Sequence, residues 1–284
     1  FVYPLSIKDS CNISLFYFSN ITIIPYFSFM IITDTHTHLY SEAFKDDREE
    51  MMERAINAGV TRFFIPAIDS TYTTAMFDLE KSYPDNVYLM MGLHPTSVKS
   101  NYLDELNQVE QLLIQRSFVA LGEIGIDLFW DRTTLDIQKQ AFRYQIQLAK
   151  THRLPIVIHC RDAFDEVFDI LEDEKGPELF GIFHCFTGTF NQAKRAISLN
   201  MKLGIGGVVT FKNGKINQFI NKIDLKHIVL ETDAPYLSPT PFRGKRNESS
   251  YLVEILNKLS ELYNLPVRDI AKITTDNSIK VFNI

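Results

Sequence analysis

Residues 30–38 read Met-Ile-Ile-Thr-Asp-Thr-His-Thr-His, an apolar run that ends in two histidines one residue apart. A short apolar run of this kind is typical of a buried strand. Alternate side chains of an extended strand point to the same face, so the imidazoles of His36 and His38 can reach one metal ion. One such pair is a weak signal, because the chain has 7 histidines in 284 residues. It indicates a metal site only if other strands also end in metal-binding side chains.

From Met30 onward, short apolar runs alternate with stretches that carry apolar residues at three- and four-residue spacing. The first pattern predicts buried strands and the second predicts amphipathic helices, for example over 134–150 and 162–174. The predicted strands cover 31–35, 62–67, 87–92, 118–122, 155–159, 181–185, 201–206 and 227–231. Eight strands alternating with helices predict an α/β fold, a single-domain (β/α)8 TIM barrel over 30–284. An open doubly wound sheet is the alternative, but it is not expected to place metal-binding residues at most strand ends.

Polar side chains follow most of the predicted strands at their carboxyl ends. The histidines and carboxylates at these ends are His36, His38, His94, Glu123, His159, His184 and Asp233. In a parallel barrel all carboxyl ends lie on one face, where active sites are found. Convergence of at least four strands on such side chains is hard to obtain by chance, so we interpret them as a metal site. His152 and His227 precede their strands and are assigned to the opposite face.

The candidate ligands provide nitrogen and oxygen donors and no thiolate. Cys160 and Cys185 each follow a candidate ligand by one residue, so we expect them to point to the other face and to serve packing. The ligand set is His36, His38, Glu123, His159, His184 and Asp233, and it suits Zn, Mn, Mg or Ni. Six ligands are too many for one open catalytic metal and fit two ions about 3.5–4 Å apart that share a carboxylate. Glu123 is the expected bridge, and Asp233 is placed to take a proton from water.

Positive side chains lie in the loops of the same predicted face. The candidates for binding an anionic substrate are Arg161, Lys212, Lys215, Arg243 and Lys245. Guanidinium and ammonium groups beside a metal pair suit a phosphate. Because the formal net charge of the chain is -6, we expect binding to a few local cations rather than to a broad basic surface.

A set of motifs, in order, resembles the TatD family of metal-dependent deoxyribonucleases. The motifs are His36-Thr-His38, Gly122-Glu-Ile-Gly-Ile-Asp127, His159-Cys-Arg-Asp-Ala163, His184-Cys-Phe-Thr-Gly188, Thr210-Phe-Lys-Asn213, and Thr232-Asp-Ala-Pro-Tyr-Leu237 followed by Arg243-Gly-Lys-Arg-Asn-Glu248. The likeness covers 30–284 and implies a TIM barrel of the amidohydrolase superfamily. It also implies hydrolysis of DNA phosphodiesters, commonly as a 3′-to-5′ exonuclease. For such a substrate, a pocket at a barrel mouth is expected to admit a single-stranded or frayed end more easily than an intact duplex.

The same resemblance implies a division of the ligands between two ions. One ion is expected on His36, His38, Glu123 and Asp233, and the second on Glu123, His159 and His184. His94 matches a family histidine near the substrate phosphate. The chain departs from the family pattern at Thr96, where another histidine is frequent, at Leu128 in place of tyrosine, and at Ser249 in place of proline. These departures leave the metal ligands intact and bear on substrate preference.

Other classes of protein share this barrel. A carbon–nitrogen hydrolase would use similar histidines, but its usual bridge is a carboxylated lysine on the fourth strand, where this chain has Glu123. A protein that keeps metals only for structure does not need the candidate base Asp233. Hydrolysis of a misacylated tRNA ester is a further alternative within the family.

Residues 1–29 differ in composition from the rest, with eight aromatic residues and only Lys8 and Asp9 as charged side chains. No basic region precedes an apolar core, and the apolar runs are too interrupted for a bilayer, so we expect neither a signal peptide nor a membrane span. Because Met30 directly precedes the first strand, we interpret 1–29 as an N-terminal extension outside the native fold. The rival interpretation is an arm packed on the body. The 3 cysteines form no disulfide framework, which is typical of the cytoplasm.

Overall fold

A computed structural model describes residues 30–284, and the interpretation of 1–29 lies outside the described residues. Eight parallel strands form one sheet in chain order. They are β1 (Ile32–Asp34), β2 (Val60–Ile65), β3 (Val87–Met91), β4 (Ala120–Asp127), β5 (Ile156–Arg161), β6 (Gly181–Phe183), β7 (Met201–Ile205) and β8 (Ile228–Leu230). The sheet closes next to β1 and β8, because the backbone N–H and the hydroxyl of Thr35 both donate to the Leu230 carbonyl at 2.9 Å. The predicted TIM barrel is confirmed.

Eight α-helices surround the strands in the described part of the chain. They are α1 (Arg48–Asn57), α2 (Thr73–Ser82), α3 (Tyr102–Gln115), α4 (Leu135–His152), α5 (Phe164–Asp173), α6 (Phe190–Ser198), α7 (Leu252–Tyr263) and α8 (Val267–Phe282). The connection from β7 to β8 contains short 3-10 turns where the alternating pattern predicts a helix. Its sequence has Gly206 and Gly207 at the strand end and Asn213-Gly214 in the middle, which favour turns over a continuous helix.

Apolar side chains fill the barrel interior below the polar end. Six of the strands each contribute one residue to this layer, namely Phe64, Met90, Ala120, Val157, Ile182 and Val229. The last helix closes the layer, since the Phe282 ring stacks on Phe64 with 3.9 Å between centroids. A larger cluster, which includes Phe63 and Ile65 from the other face of β2, packs between strands and helices. This packing leaves the opposite end of the barrel free for polar side chains.

Strands β4 and β5 run further than the sequence predicts. Their pairing continues through Gly125 with His159 and Asp127 with Arg161, so Glu123 lies inside β4 rather than after it, and His159 lies before the end of β5. Gly125 permits this close approach, since a Cβ at its position would lie 2.0 Å from the His159 carbonyl oxygen. The extra length carries Asp127 to the barrel mouth beside the candidate ligands.

Candidate metal centre

The six candidate ligands and His94 meet in one pocket at the carboxyl ends of the strands. Three sets have ligand atoms within 4.8 Å of one another: His36, His38 and Asp233; His36, Glu123 and His184; and His94, Glu123 and His159. His36 is fully buried and Glu123 is 3% exposed. The sequence prediction of a convergent histidine and carboxylate cluster therefore agrees with the geometry.

The two carboxylate oxygens of Glu123 face different groups. Oε2 lies 3.1 Å from His36 Nε2 and 3.6 Å from His38 Nε2. Asp233 Oδ1 completes this group at 3.5 Å from His38 Nε2. We call His36, His38 and Asp233 the β1/β8 half of the pocket, because these residues follow β1 and β8.

The other oxygen, Glu123 Oε1, faces imidazoles from three other strands. It lies 2.6 Å from His159 Nδ1, 3.0 Å from His184 Nε2 and 3.2 Å from His94 Nε2. We call His94, His159 and His184 the β3/β5/β6 half. Glu123 is thus the residue that both halves share.

The spacing of these atoms fits divalent metal ions. Ligands about 2.0–2.2 Å from an ion lie about 3.0–3.5 Å from one another in tetrahedral or octahedral geometry. The separations of 3.1 to 3.8 Å in the β1/β8 half and 2.6 to 3.2 Å around Oε1 need shifts of only tenths of an ångström. Nitrogen and oxygen donors without a thiolate agree with the metals proposed from the sequence.

An irregularity in β4 positions Glu123. The pairing of β4 with β5 changes register between Gly122 and Ile124, so Glu123 has no partner in that ladder. Its backbone N–H donates instead to the Ala67 carbonyl at 3.1 Å, beyond the end of β2. A bulge at this position re-aims a side chain, which here places the Glu123 carboxylate between the two halves.

Hydrogen bonds fix which nitrogen of His38 faces the pocket. The hydroxyl of Tyr40 donates to the Pro66 carbonyl at 3.0 Å and lies 2.9 Å from His38 Nδ1. Because this hydroxyl has one proton, it accepts a hydrogen bond from His38 Nδ1–H. The lone pair of His38 therefore lies on Nε2, the nitrogen that faces Glu123 and Asp233.

The backbone at Asp233 is held by a buried carboxylate, Asp34. Asp34 accepts hydrogen bonds from the Thr232 N–H at 2.9 Å, the Thr232 hydroxyl at 2.6 Å and the Ser249 hydroxyl at 2.6 Å. Complete burial raises the pKa of Asp34 to about 7 despite these bonds. Asp233 adopts a left-handed conformation with φ 57, and its N–H donates to the His36 carbonyl at 2.9 Å. Ser249, a departure from the family pattern, thus supports the same turn.

Carboxylates stand behind two imidazoles of the β3/β5/β6 half. His159 Nε2 lies 2.8 Å from Asp127 Oδ2, so the proton of His159 is on Nε2 and its lone pair is on Nδ1, towards Glu123. His184 Nδ1 lies 3.3 Å from Glu231 Oε1. Gly204 makes room for Glu231, since a Cβ there would lie 2.2 Å from Glu231 Oε2. Both arrangements resemble the outer carboxylates that orient histidine ligands in metal sites.

The outer carboxylates raise the pKa values of the imidazoles that they contact. Burial alone lowers the pKa of His184, but Glu123 and Glu231 raise it well above the usual value. His159 behaves in the same way, because the hydrogen bond to Asp127 and the negative charge of Glu123 outweigh burial and raise its pKa. In contrast, burial lowers the pKa of His36 to about 3. The imidazoles with a carboxylate behind them are therefore the more basic ones.

His94 is a hydrogen-bond donor to the pocket. Its Nδ1 accepts the backbone N–H of Thr96 at 3.1 Å, so a neutral ring carries its proton on Nε2. Nε2 lies 3.2 Å from His159 Nδ1 and from Glu123 Oε1. This tautomer distinguishes His94 from His38 and His159, whose lone pairs face the pocket. Thr96, the second departure from the family pattern, helps to set it.

The predicted phosphate-binding cations lie outside this pocket, in loops on the same face. Arg161 ends β5, and its guanidinium carbon lies 3.8 Å from the centre of the Phe129 ring. Arg243 follows β8, lies 3.7 Å above the Phe211 ring and donates to the Ser238 carbonyl at 2.9 Å. Lys212, Lys215 and Lys245 are exposed. In residues 30–284 none of these five cations forms an ion pair, whereas Arg246 binds Asp47 Oδ1 at 2.6 Å.

Asp34, Tyr40, Asp127 and Glu231 contribute to the pocket, although sequence reasoning assigned them no role. Asp127 offered a signal, because four residues after Glu123 on an extended strand it faces the same side. Glu231 and Tyr40 offered none, since their contacts depend on packing. Cys160 packs against the main apolar cluster, and the candidate metal groups of the described residues contain no cysteine. His152 ends α4 and His227 precedes β8, both away from the pocket as predicted.

A barrel with buried imidazoles and carboxylates at its carboxyl face defines a (β/α)8 protein with a candidate metal centre. The profile of the TatD related DNase family matches residues 33–283. The chain therefore belongs to this family. Within residues 30–284, no helix combines the length and apolar character needed to cross a membrane.

Similar proteins agree with this assignment. The uncharacterized metal-dependent hydrolase YabD of Bacillus subtilis (strain 168) is 39% identical over 255 residues, which are 89% of this chain and 100% of YabD. The crystal structure of YjjV, a TatD homolog from Escherichia coli K12, has a TM-score of 0.84 and 32% identity over 89% of this chain and 98% of that chain. A TatD family hydrolase structure from Entamoeba histolytica has a TM-score of 0.77 at 19% identity, over 89% of this chain and 98% of that chain, and shows the same fold.

Proposed function

We propose that this protein hydrolyses DNA phosphodiester bonds with two divalent metal ions, as a 3′-to-5′ exodeoxyribonuclease. Family membership makes it a metal-dependent hydrolase, and the family description favours DNA as the substrate. The observation that carries the two-ion proposal is the position of Glu123, whose two oxygens face separate groups of ligand atoms. Two-metal sites of this kind are suited to phosphodiester hydrolysis because they stabilise both the attacking and the leaving oxygen.

The residues of the pocket have two roles, metal binding and acceptance of a proton. His36, His38, Asp233 and Glu123 would hold one ion, and Glu123, His159 and His184 would hold the other. Bound ions would supply polarisation of the phosphate and a lowered pKa of water at this site. Burial alone raises the pKa of Asp233, but the imidazoles around it, His38, His184 and His36, lower it below the usual value. Asp233 is therefore ionised at neutral pH and can accept the proton of the attacking water.

Donors beside the pocket suit a phosphate. His94 presents its Nε2–H at the edge of the ligand cluster, where a non-bridging phosphate oxygen can accept it. Arg161, Lys212, Lys215, Arg243 and Lys245 are unpaired within the described residues and supply the positive charge of the surrounding loops. We propose a single-stranded or frayed end as the substrate, because a few cations on a chain of net charge -6 do not make a duplex-binding surface.

A carbon–nitrogen hydrolase and a misacylated-tRNA esterase are the alternatives. The position of the Glu123 carboxylate between the two halves favours phosphoesters over amides. The unpaired cations suit DNA and tRNA alike, so the assay with an aminoacyl ester distinguishes these two substrates. The absence of a disulfide framework from the 3 cysteines supports the cytoplasm as the site of action.

The experiment compares end-labelled single-stranded and blunt duplex oligonucleotides, a dihydroorotate-type amide and an aminoacyl ester. The protein is assayed after removal of metals with a chelator and again after addition of Mg, Mn, Zn or Ni. We expect shortening of the single strand from its 3′ end, which chelation abolishes and a divalent ion restores. The Asp233→Asn variant, matched in shape, should lose turnover. Full activity in excess chelator, or rapid cleavage of the amide with inert DNA, would contradict the proposal.

A further inference from the structure

Exposed aromatic rings are concentrated at the mouth of the barrel. Five aromatic side chains are prominently exposed in residues 30–284, and four of them, Tyr72, Phe129, Trp130 and Tyr236, lie in loops after the carboxyl ends of strands. The fifth, Tyr144, lies on α4. Trp130 is 70% exposed and Phe129 is 52% exposed. Large aromatic rings exposed to solvent beside a polar pocket indicate a surface that binds a ligand.

Two of these rings form one surface with a guanidinium. Phe129 and Trp130 meet edge to face, with 5.0 Å between centroids and 89° between planes. The guanidinium carbon of Arg161 lies 3.8 Å from the centre of the Phe129 ring and 5.6 Å from that of Trp130. We call Phe129, Trp130 and Arg161 the aromatic platform. It offers π faces and a positive charge, the combination that binds single-stranded nucleic acids.

The aromatic platform is tied to the candidate metal centre by Asp127. One oxygen of this carboxylate accepts the backbone N–H groups of Phe129 at 2.9 Å and of Trp130 at 3.1 Å. The other oxygen lies 2.8 Å from His159 Nε2. The same side chain therefore orients a candidate ligand and positions the two rings beside it. A ligand that reaches the pocket from this side has its next groups next to the rings.

We propose that the aromatic platform stacks nucleobases adjacent to the phosphodiester that enters the pocket. This inference rests on the proposed function and specifies how the strand is held. Every base has a π face, so stacking holds any sequence, but it requires bases that are free of a duplex stack. The platform therefore favours single-stranded ends. It also provides binding that a chain of net charge -6 does not obtain from phosphate contacts alone.

Fluorescence gives a direct test, because Trp130 is the 1 tryptophan of the sequence. The protein, loaded with Mg or Zn, is titrated with a single-stranded oligonucleotide whose phosphorothioate linkages resist hydrolysis. We expect saturable quenching of the tryptophan emission as a base stacks on the ring. An oligonucleotide of the same length whose 3′-terminal nucleotides are abasic should not quench at the same concentrations. Equal quenching by both oligonucleotides would overturn the proposal.

Kinetics of the metal-loaded protein provide a second test. Trp130→Ala should raise KM for the single strand about tenfold with little change in kcat, within the range for loss of one base–aromatic stack. Trp130→Phe should recover most of this loss, and Tyr144→Ala, which removes the exposed ring outside the mouth, should leave KM unchanged. On the abasic oligonucleotide, wild type and Trp130→Ala should differ less than twofold.

Other outcomes overturn the inference in recognisable ways. If Trp130→Ala leaves KM unchanged but reduces self-association in size-exclusion chromatography, the rings cover a contact between copies of the chain. If wild type hydrolyses DNA without any fluorescence change on binding, the platform is not used for bases. Failure of the proposed function is distinguishable from these two outcomes. In that case the wild-type protein with metal would hydrolyse neither the normal nor the abasic oligonucleotide, whatever the fluorescence shows.

Discussion

The two halves of the pocket are held in place by different kinds of partner. In the β3/β5/β6 half, carboxylates stand directly behind two of the three imidazoles, with Asp127 at 2.8 Å from His159 and Glu231 at 3.3 Å from His184. In the β1/β8 half, His38 is oriented by the neutral hydroxyl of Tyr40. The negative charge of that half belongs to a ligand candidate, Asp233. In the β3/β5/β6 half, outer carboxylates therefore make the imidazoles more basic. In the β1/β8 half, the negative charge is on a candidate ligand itself.

Because of this difference, the ligands of each half are oriented by their own outer partners. An outer carboxylate orients an imidazole and makes it a stronger ligand, whereas a neutral hydroxyl only orients it. Substitution of an outer partner should therefore affect one half and leave the other intact. Glu123 is the exception, because its two oxygens belong to both halves. Substitutions of decreasing expected effect test this division.

The largest effect is expected from Glu123→Gln. This change keeps the volume of the side chain and removes the charge that both halves share. DNA hydrolysis should fall by well over the about 10- to 100-fold typical of an outer partner, measured as kcat/KM with the single-stranded oligonucleotide. Glu53→Gln, an exposed residue of α1, is the matched control and should retain wild-type activity. A Glu123→Gln protein with near wild-type kcat/KM would show that the bridge is unnecessary.

The next effect concerns the β3/β5/β6 half alone. Asp127→Asn weakens the bond to His159 Nε2 and should lower kcat/KM about 10- to 100-fold. The ion of the β1/β8 half should stay bound, since Asp127 contacts none of its residues. Asp131→Asn, in the same loop, provides a control. Loss of every bound ion in Asp127→Asn would mean that the halves are not independent.

A smaller effect is expected in the β1/β8 half. Tyr40→Phe removes the hydroxyl that holds His38 Nδ1, and the neutral partner should cost about tenfold in kcat/KM, at the low end of the range for outer partners. Tyr72→Phe is a suitable control, because Tyr72 packs on Tyr40 with 5.5 Å between ring centroids. Equal losses from the two substitutions would assign the effect to the mouth of the barrel rather than to His38.

The smallest effect is expected on stability, from an ion pair outside the pocket. Arg246, in the loop after β8, binds Asp47, which precedes α1. Hydrogen bonds from Arg246 lower the pKa of Asp47 from 3.8 to about 2. The unfolded carboxylate is protonated near 3.8 while the folded one stays ionised, so the pair stabilises the fold above that pH and loses its contribution as the pH falls towards 2.

Asp47→Asn should therefore lower the free energy of unfolding by less than about 1 kcal/mol at neutral pH, because the pair is partly exposed. The difference from wild type should shrink between about pH 5 and pH 3 in urea titrations. Asp46→Asn, which removes the charge of an exposed neighbouring carboxylate, is the control for the change in net charge. A difference for Asp47→Asn that is constant with pH would exclude this origin.

The sequence predicted the parts of the pocket that depend only on topology. His36, His38, His184 and Asp233 directly follow strands, and in a parallel barrel those positions converge whatever the packing. Glu123 and His159 reach the same pocket although their strands are longer than predicted. The helix expected between β7 and β8 was wrong, because turn-forming residues there break the alternation.

The partners behind the ligands could not be predicted, because they depend on side-chain packing. Glu231 reaches His184 only because Gly204 leaves space for its carboxylate. Arg161 was predicted as a phosphate contact, and the structure adds its stacking on Phe129, which no spacing in the sequence indicates. Its role towards a phosphate stays a prediction.

The number of divalent ions bound per chain is the most direct test of the role of Glu123. The wild-type protein, Glu123→Gln and Asp127→Asn are loaded with Mn or Zn, desalted, and measured by elemental analysis together with protein concentration. We expect two ions for wild type, one for Asp127→Asn and fewer than one for Glu123→Gln. Two ions retained by Glu123→Gln, or a single ion in wild type under saturating metal, would contradict this expectation.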